Sequence, residues 1–339
     1  MKNKPLASFS SIVPDLKDYL RGKMRGYKST IIDTPLDIKA LDPKTEILGV
    51  FVDSQVDKAV FDKLKKLKMI ATFSTGYDHI DIKESKKRGI PVCNVPTYGE
   101  NTVAQHTMAL MLALSRKLFQ SVKRVKEGIY DYHGLRGFDL KGKTIGVIGT
   151  GHIGIHLIDM LDGFEANVVA YDAFPNKELE GDHKFTYVNL DKLLKESDII
   201  SLHVPLFPTT YHMIDAKALN KMKDGVYIIN TARGGLIDPE AMVYALENGK
   251  VGGLGVDVLE EENFISHPEK INKKTTPEEI RASLMENIII DHPNTIITPH
   301  NAFNSTEALK RIFDTSVENI KAFSAGEIQN DVTKPRKKK

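Results

Sequence analysis

The chain has 339 residues, of which 41% are hydrophobic, and its 47 basic and 45 acidic side chains leave a net charge of only +2. A chain of this length can bury a large core and is expected to form two domains. The balanced charge argues against nucleic acid as a partner. No apolar run approaches the roughly 18 residues of a membrane span and no signal region follows Met1, so we expect a cytoplasmic protein without membrane contact.

Cysteine and histidine usage excludes two further classes of protein. Cys93 is the only cysteine, so no internal disulfide can form, and its apolar neighbours indicate a buried structural thiol. No group of Cys and His residues has the spacing of a zinc site, and no metal is predicted.

The first hundred residues contain short β-rich apolar runs, which are typical of a small α/β domain with a parallel sheet. The predicted strands are residues 27–32, 46–52, 69–73 and 91–94. One long helix is predicted over 102–124, begun by Asn101 and carrying apolar residues along one side. It would connect this domain to the next.

Strands and helices alternate more regularly in the second half. Strands are predicted over 144–148, 167–171, 199–202, 226–230, 253–256 and 295–297, and helices over 155–163, 190–195, 216–222 and 239–248. Six strands with helical crossovers predict a Rossmann-type doubly wound parallel sheet.

A glycine-rich segment lies between the first of these strands and its helix. Gly149, Gly151 and Gly154 have the spacing of a dinucleotide fingerprint, and Asp172 ends the next strand, 18 residues beyond the last glycine. Such glycines permit a tight turn and close approach to a pyrophosphate, and the acid can accept a hydrogen bond from a ribose hydroxyl. A turn that binds nothing is the alternative, and the flanking strand and helix argue against it.

The position of this fingerprint predicts a discontinuous domain. A helix over 305–325 follows the last strand and is too late to add another β-α unit, so we expect it to return to the first domain. Residues 1–101 and 303–332 would then form a flavodoxin-like α/β substrate domain, with the Rossmann domain inserted as residues 102–302. Residues 333–339 form a basic tail, expected to be disordered; contact with RNA, DNA or an acidic surface is the less favoured alternative.

Three side chains of complementary chemistry follow strands of the second domain. Arg233 is flanked by small residues and suits a carboxylate, while His300 alone could be an ordinary polar residue. Hydride transfer to a 2-oxo acid needs a cation for the carboxylate, a proton donor for the carbonyl oxygen and an anion beside the donor. Arg233, His300 and Glu262 could supply these roles from one edge of one sheet.

In its motifs the chain resembles the D-isomer-specific 2-hydroxyacid dehydrogenases over about residues 46–331. The motifs are the fingerprint with Asp172, Ser-Leu-His-Val-Pro at 201–205, Asn-Thr-Ala-Arg-Gly-Gly-Leu-Ile-Asp at 230–238, Gly-Val-Asp-Val at 255–258 and Thr-Pro-His at 298–300. The resemblance implies NAD as cofactor, Arg233 as the carboxylate ligand, His300 as the acid and base, and Glu262 as its partner. It also implies a homodimer formed through the NAD-binding domains.

The resemblance also assigns binding residues. Those implied for the cofactor are Gly149, Gly151, His152, Ile153, Gly154, Asp172, His203, Val204, Pro205, Thr231, Ala232 and Asp257, the last holding the nicotinamide carboxamide. For the substrate, the backbone amides of Thr75 and Gly76 would cradle the carboxylate. Tyr98 and Phe303 resemble residues of the D-lactate dehydrogenase branch and would form an apolar wall for a short alkyl group.

The sequence therefore predicts reduction of pyruvate to D-lactate with NADH. Two features limit this prediction: the polar segment 263–286, with a short helix predicted from Pro277, does not match the lactate branch closely, and neither do Asn304 and Ser305. A dehydrogenase for 2-oxoisocaproate, hydroxypyruvate or glyoxylate is an alternative. A second alternative is a scaffold that senses NADH, similar to the C-terminal-binding-protein corepressors.

Overall fold

Two parallel sheets organise the chain, and they belong to different units. The computed structural model describes residues 4–272 and 275–334. One unit contains the chain up to Gly99 and again from Ser305, and the other extends from Glu100 to Asn304. Phe303 thus lies in the second unit, although the sequence placed it in the first domain. Residues 335–339 of the predicted basic tail lie outside the described residues.

The first unit contains a sheet of five parallel strands. These are β1 (Ala7–Phe9), β2 (Ser29–Ile31), β3 (Ile47–Val50), β4 (Met69–Thr72) and β5 (Val92–Cys93), in the order β2-β1-β3-β4-β5. This is the flavodoxin-like order, which confirms the predicted fold class. The sequence missed β1 because three residues are too few to show a period. Helices α1 (Lys17–Lys23), α2 (Lys58–Lys63) and α3 (Ile82–Lys87) belong to this unit.

The second unit contains a sheet of seven parallel strands. They are β6 (Thr144–Ile148), β7 (Asn167–Tyr171), β8 (Thr186–Tyr187), β9 (Ile199–Leu202), β10 (Val226–Asn230), β11 (Val251–Val256) and β12 (Thr295–Ile297). Their order is β12-β11-β10-β9-β6-β7-β8, which is the Rossmann order with one added strand. The prediction of a doubly wound sheet is confirmed, and only the two-residue β8 was missed. The reversal of strand order lies between β6 and β9, where such sheets bind ligands.

The prediction of a single helix over 102–124 is wrong, because this part of the chain forms two helices, α4 (Glu100–Ser115) and α5 (Leu118–Lys126). Lys117 adopts a left-handed conformation with φ 48°. The Phe138 N–H donates to the Ser115 carbonyl at 2.9 Å, so a returning segment occupies the end of α4. Leu118 and Val122, which would have continued the buried side, are 53% and 46% exposed.

The remaining helices of the second unit cover the sheet. They are α6 (His152–Asp162), α7 (Glu178–Asp182), α8 (Leu190–Glu196), α9 (Ala216–Lys221), α10 (Pro239–Glu247), α11 (Glu262–Ser266) and α12 (Pro277–Asp291). Asp238 caps α10 by accepting from the Glu240 and Ala241 N–H groups. The helix that begins at Pro277 is longer than predicted, and a capping box between Thr276 and Glu279 fixes its start.

Helix α13 (Thr306–Ala325) belongs to the first unit, so the chain does return there after β12. Phe313 is fully buried and packs edge-on against Phe73, with ring centroids 5.1 Å apart. The buried Asn319 donates from its amide to the Asn94 carbonyl at 2.9 Å and accepts from the Asn330 amide at 2.8 Å. In the parts of the chain that the structure describes, no helix is both long and apolar enough to cross a membrane.

Replacement of Asn319 by alanine should destabilise the first unit. The Asn94 carbonyl and the Asn330 amide would each lose a partner, and we expect the free energy of unfolding to fall by about 2–3 kcal/mol. Urea unfolding followed by circular dichroism measures this loss. Lys321→Ala, an exposed position on the same helix, should change stability by less than about 0.5 kcal/mol. Equal losses in the two variants would contradict the role of Asn319.

Candidate active site

The glycine turn after β6 has the geometry that a dinucleotide site needs. Gly149 has φ 101°, and a Cβ there would lie 2.8 Å from the backbone of His203. A Cβ at Gly154 would lie 2.1 Å from the Gly149 oxygen, so only glycine allows α6 to pack this close to the turn. A Cβ at Gly151 would meet nothing within 4 Å, which leaves open space at the first turn of α6. The residues present therefore fit a bound pyrophosphate.

Asp172 fixes this turn to the end of β7. Its Oδ2 atom accepts from the Thr150 N–H at 2.8 Å and from the Thr150 hydroxyl at 3.1 Å. Its Oδ1 atom accepts from the Phe174 N–H at 2.9 Å. The carboxylate is partly exposed, so it can still accept a hydrogen bond from a ribose hydroxyl. His152 and Ile153 form the first turn of α6 beside it.

Residues 203–205 follow β9, the strand next to β6 on the other side of the strand-order reversal. The His203 N–H donates to the Ile148 oxygen at 2.7 Å, and the ring forms a hydrogen bond with the Ser201 hydroxyl at 2.8 Å. Burial of the ring lowers the pKa of His203 to about 4, which keeps the imidazole neutral at physiological pH. Val204 is half-buried and Pro205 is exposed, so this segment offers an apolar surface at the site.

The turn that carries Arg233 is held by Asn230, the last residue of β10, which the sequence identified only as part of a motif. Asn230 is fully buried; its side-chain oxygen accepts from the Ala232 N–H at 3.0 Å, and its amide donates to the Arg233 carbonyl at 2.8 Å. Thr231 forms a hydroxyl hydrogen bond with Thr107 at 2.8 Å. The Arg233 side chain is half-buried, and its Nη1 donates to the Ala232 carbonyl at 2.7 Å.

Gly234 brings the Arg233 turn into backbone contact with the loop after β11. A Cβ at Gly234 would lie 2.0 Å from the Leu259 carbonyl carbon and 2.2 Å from the Glu260 nitrogen. No other residue type fits this contact without displacing one of the two loops. The sequence identified this glycine only as part of a motif, because its contact partner lies 25 residues away.

Glu262 and His300 form a direct pair at the same edge of the sheet. The Glu262 Oε2 atom lies 2.9 Å from His300 Nδ1, and its Oε1 atom accepts from the Leu259 N–H at 3.0 Å. Their side chains are 37% and 33% exposed, so the pair faces open space. His300 has φ 50°, which is an uncommon conformation for a residue with a side chain.

Asp257 stabilises this conformation of His300. It is 1% exposed, and its carboxylate accepts from the Thr298 hydroxyl, from the Asn301 N–H at 3.0 Å and from the Ala302 N–H at 2.8 Å. Its carbonyl accepts from the His300 N–H at 2.8 Å. The structure thus gives Asp257 a structural role at the His300 turn, and the contact with nicotinamide that the resemblance implies stays a prediction.

The predicted substrate residues are distributed over both units. Within the first unit, the loop after β4 is shaped by the Ser74 hydroxyl, which donates to the Gly76 carbonyl at 2.6 Å, and by the Thr75 hydroxyl, which donates to the Val95 carbonyl at 2.7 Å. Among the described residues, the N–H groups of Thr75 and Gly76 have no acceptor. Tyr98 is half-buried in the same unit; Phe303 is half-buried in the second.

The strand order and the glycine turn define the second unit as a dinucleotide-binding domain. The family model for the NAD-binding domain of the D-isomer specific 2-hydroxyacid dehydrogenases matches residues 108–302. The D-lactate dehydrogenase of Escherichia coli is 37% identical over 83% of this chain and 84% of its own length. An aromatic 2-oxoacid reductase of Clostridium sporogenes is 37% identical over 81% of this chain and 82% of its own.

A solved structure gives the same assignment. D-lactate dehydrogenase from Aquifex aeolicus, complexed with NAD and lactic acid, has a TM-score of 0.86 and 35% identity, covering 97% of this chain and 99% of its own. The chain belongs to the D-isomer specific 2-hydroxyacid dehydrogenase family. The predictions of an NAD-dependent oxidoreductase and of NAD as cofactor are confirmed, and the scaffold alternative is not retained. The roles of individual residues stay predictions.

The low pKa of His203 makes the stability of the protein depend on pH. Because the folded state disfavours the charged ring, the unfolded chain takes up a proton between pH 6.5 and 4 that the folded chain does not. Stability should therefore fall by about 1–3 kcal/mol as the pH falls through this window, a range that allows for partial exposure of the residue.

Urea unfolding without NAD, at a series of pH values, measures this loss. His203→Gln should lose correspondingly less stability between pH 6.5 and 4, because glutamine does not titrate and can still bond with Ser201. His156→Gln, at an exposed position of α6, serves as the control and should behave like the wild type. If the stability of the His203 variant depended on pH as strongly as that of the wild type, His203 would not be the cause of the loss.

Proposed function

We propose that this dehydrogenase reduces pyruvate reversibly to D-lactate. The observation that carries the proposal is the 2.9 Å pair between Glu262 and His300, on the edge of the sheet where Arg233 also lies. NADH, when bound, supplies the hydride for the carbonyl carbon. His300 donates its proton to the oxygen that becomes the hydroxyl, and in the reverse direction accepts it.

Glu262 supports this proton transfer. Its carboxylate lies on Nδ1 of His300, which leaves Nε2 as the nitrogen that faces the substrate. At this distance the carboxylate fixes the orientation of the ring relative to the substrate. Arg233 binds the substrate carboxylate through two N–H groups, and this contact fixes the carbonyl relative to His300.

The cofactor is held by the glycine turn and its neighbours. The N–H groups at the start of α6 would bind the pyrophosphate, and Asp172 would accept from the adenosine ribose. Asp172 would repel a 2′-phosphate and no arginine stands in residues 173–175, so NAD is preferred over NADP. Residues 203–205, Thr231, Ala232 and Asp257 line the same edge of the sheet and would contact the rest of the cofactor.

Pyruvate is the substrate that the remaining residues favour. The free amides of Thr75 and Gly76 suit a carboxylate, and Tyr98 and Phe303 offer aromatic surface for a methyl group. The relatives that act on lactate support this choice. One relative is an aromatic 2-oxoacid reductase, so a larger 2-oxo acid is the second candidate for the substrate.

The substrate is tested by NADH oxidation with a panel of 2-oxo acids. Pyruvate should give the highest kcat/KM, ahead of 2-oxoisocaproate, phenylpyruvate, hydroxypyruvate and glyoxylate, and chiral chromatography should show D-lactate as the product. A higher kcat/KM for phenylpyruvate would favour the second candidate. L-lactate as the product would contradict both.

The catalytic roles are tested with variants of the pair. His300→Gln should lower kcat about 10²–10⁴-fold, because the variant has no proton to donate. Arg233→Lys should raise the KM for pyruvate about tenfold or more, because two hydrogen bonds become one. His156→Gln, far from the pair in the sequence and exposed, should match the wild type.

We also propose that the enzyme is a homodimer formed through its second unit. Helix α5 and the segment after it form an unusually apolar surface, with Phe119 57% exposed and Tyr130 94% exposed. The other exposed apolar residues of this stretch are Leu118, Val122, Val125, Ile129 and Tyr132. Contiguous apolar surface of this kind marks an interface, and the occupant we propose is a second copy of the chain.

Light scattering after gel filtration tests the dimer. The wild type should have twice the mass of the chain, and Phe119→Asp should shift it toward the monomer because a buried charge disfavours association. Tyr244→Asp is the control, since Tyr244 is a 74% exposed aromatic residue on α10 of the same unit. A monomeric wild type, or a dimer that resists Phe119→Asp, would contradict the proposal.

A further inference from the structure

A buried carboxyl group outside the predicted site contacts the loop that carries Glu262. Glu286 lies on α12 and is 3% exposed. Its Oε1 atom accepts a short hydrogen bond from the Glu260 N–H, and its Oε2 atom accepts from the Glu261 N–H at 3.1 Å. One side chain thus binds two successive backbone amides directly before the residue that pairs with His300.

This position is costly for a carboxyl group. The pKa of Glu286 is raised to about 7, mainly by burial; the two amide hydrogen bonds oppose the shift, and the carboxylates of Glu260 and Glu261 add to it. The adjoining cavity, lined by Val256, Leu259 and apolar residues of α10 and α12, has about 20 Å³, which is room for roughly one water molecule. This cavity is too small for a ligand. The role of the Glu286 carboxyl group is therefore to bind the two backbone N–H groups.

The conformation of this loop decides where Glu262 points. Residues 257–261 connect β11 to α11, and Glu262 is the first residue of that helix. The same loop supplies the Leu259 N–H that holds Oε1 of Glu262, and Gly234 packs against its Leu259–Glu260 peptide. Glu286 holds the loop from the side of α12, and the His212 ring holds the Glu260 carboxylate at 2.9 Å.

We propose that Glu286 is a positioning residue of the reaction, which keeps Glu262 within reach of His300 by fixing the backbone of residues 260 and 261. The proposal rests on the roles proposed above for Glu262 and His300. Glu286 itself does not touch substrate or cofactor. A carboxylate suits this position because each of its two oxygens takes one N–H group, Oε1 that of Glu260 and Oε2 that of Glu261.

The first test is Glu286→Gln in the full-length enzyme. Glutamine has nearly the same shape but only one acceptor, and its amide would face the second backbone N–H. We expect kcat for pyruvate reduction to fall about 5–10-fold, with the KM for NADH unchanged within twofold. Glu278→Gln, an exposed glutamate of α12, should behave like the wild type.

A double-mutant cycle with Glu262→Gln separates a positioning role from a general structural one. If Glu286 acts through Glu262, then adding Glu286→Gln to the Glu262→Gln enzyme should lower kcat by less than twofold. The same 5–10-fold loss in both backgrounds would overturn the proposal, as would a Glu286→Gln enzyme with wild-type kcat. Full activity of Glu262→Gln alone would instead contradict the proposed catalytic pair.

Glu286→Asp provides a second variant if the glutamine enzyme does not fold. Aspartate keeps two acceptor oxygens but is one methylene shorter, so it can reach one amide well and the other poorly. We expect a smaller loss of kcat that again disappears in the Glu262→Gln background. Equal losses with and without Glu262 would overturn the positioning role here too.

Discussion

Parallel pairing of β10, β11 and β12 is the constraint on which the site depends. Neighbouring parallel strands end at the same edge of a sheet, so the loops that follow them lie next to each other. Those loops carry Arg233, Glu262 and His300. The close approach is completed by Gly234, where the absence of a side chain lets two of the loops touch through their backbones. A cation, an anion and an imidazole are thereby brought to one edge of the sheet from three separate parts of the chain.

Each of these loops is held by a buried polar side chain that is not predicted to react. Asn230 binds the backbone of the Arg233 turn, Asp257 binds the backbone of the His300 turn, and Glu286 binds the backbone before Glu262. Irregular backbone at the end of a buried strand has N–H and C=O groups without ladder partners, and burying them unpaired is expensive. A buried amide or carboxylate satisfies these groups and at the same time removes alternative loop conformations. The geometry of the reactive groups is therefore set largely by side chains behind them.

Much of the second unit could be predicted from the sequence because its elements are marked locally. Most strand boundaries there agree with the structure, since each strand is a short apolar run between turn residues. The first unit was harder, because β1 has only three residues and its neighbours show little period. The helix over 102–124 was wrong for a different reason. Nothing local shows that the Ser115 carbonyl is taken by Phe138, or that Leu118 and Val122 are exposed.

The sequence by itself determined the cofactor fingerprint, the order of the chemically active residues and the family. Those features depend on residue type and spacing, as when Gly149 and Gly154 tolerate contacts that no side chain would permit. Only the tertiary structure decided which polar residues hold the loops and which apolar residues stay on the surface. Glu286 meets the Glu261 amide across 25 residues of chain, and no periodic pattern encodes such a contact. It exists because α12 folds back against the loop after β11, and that packing is a property of the assembled unit.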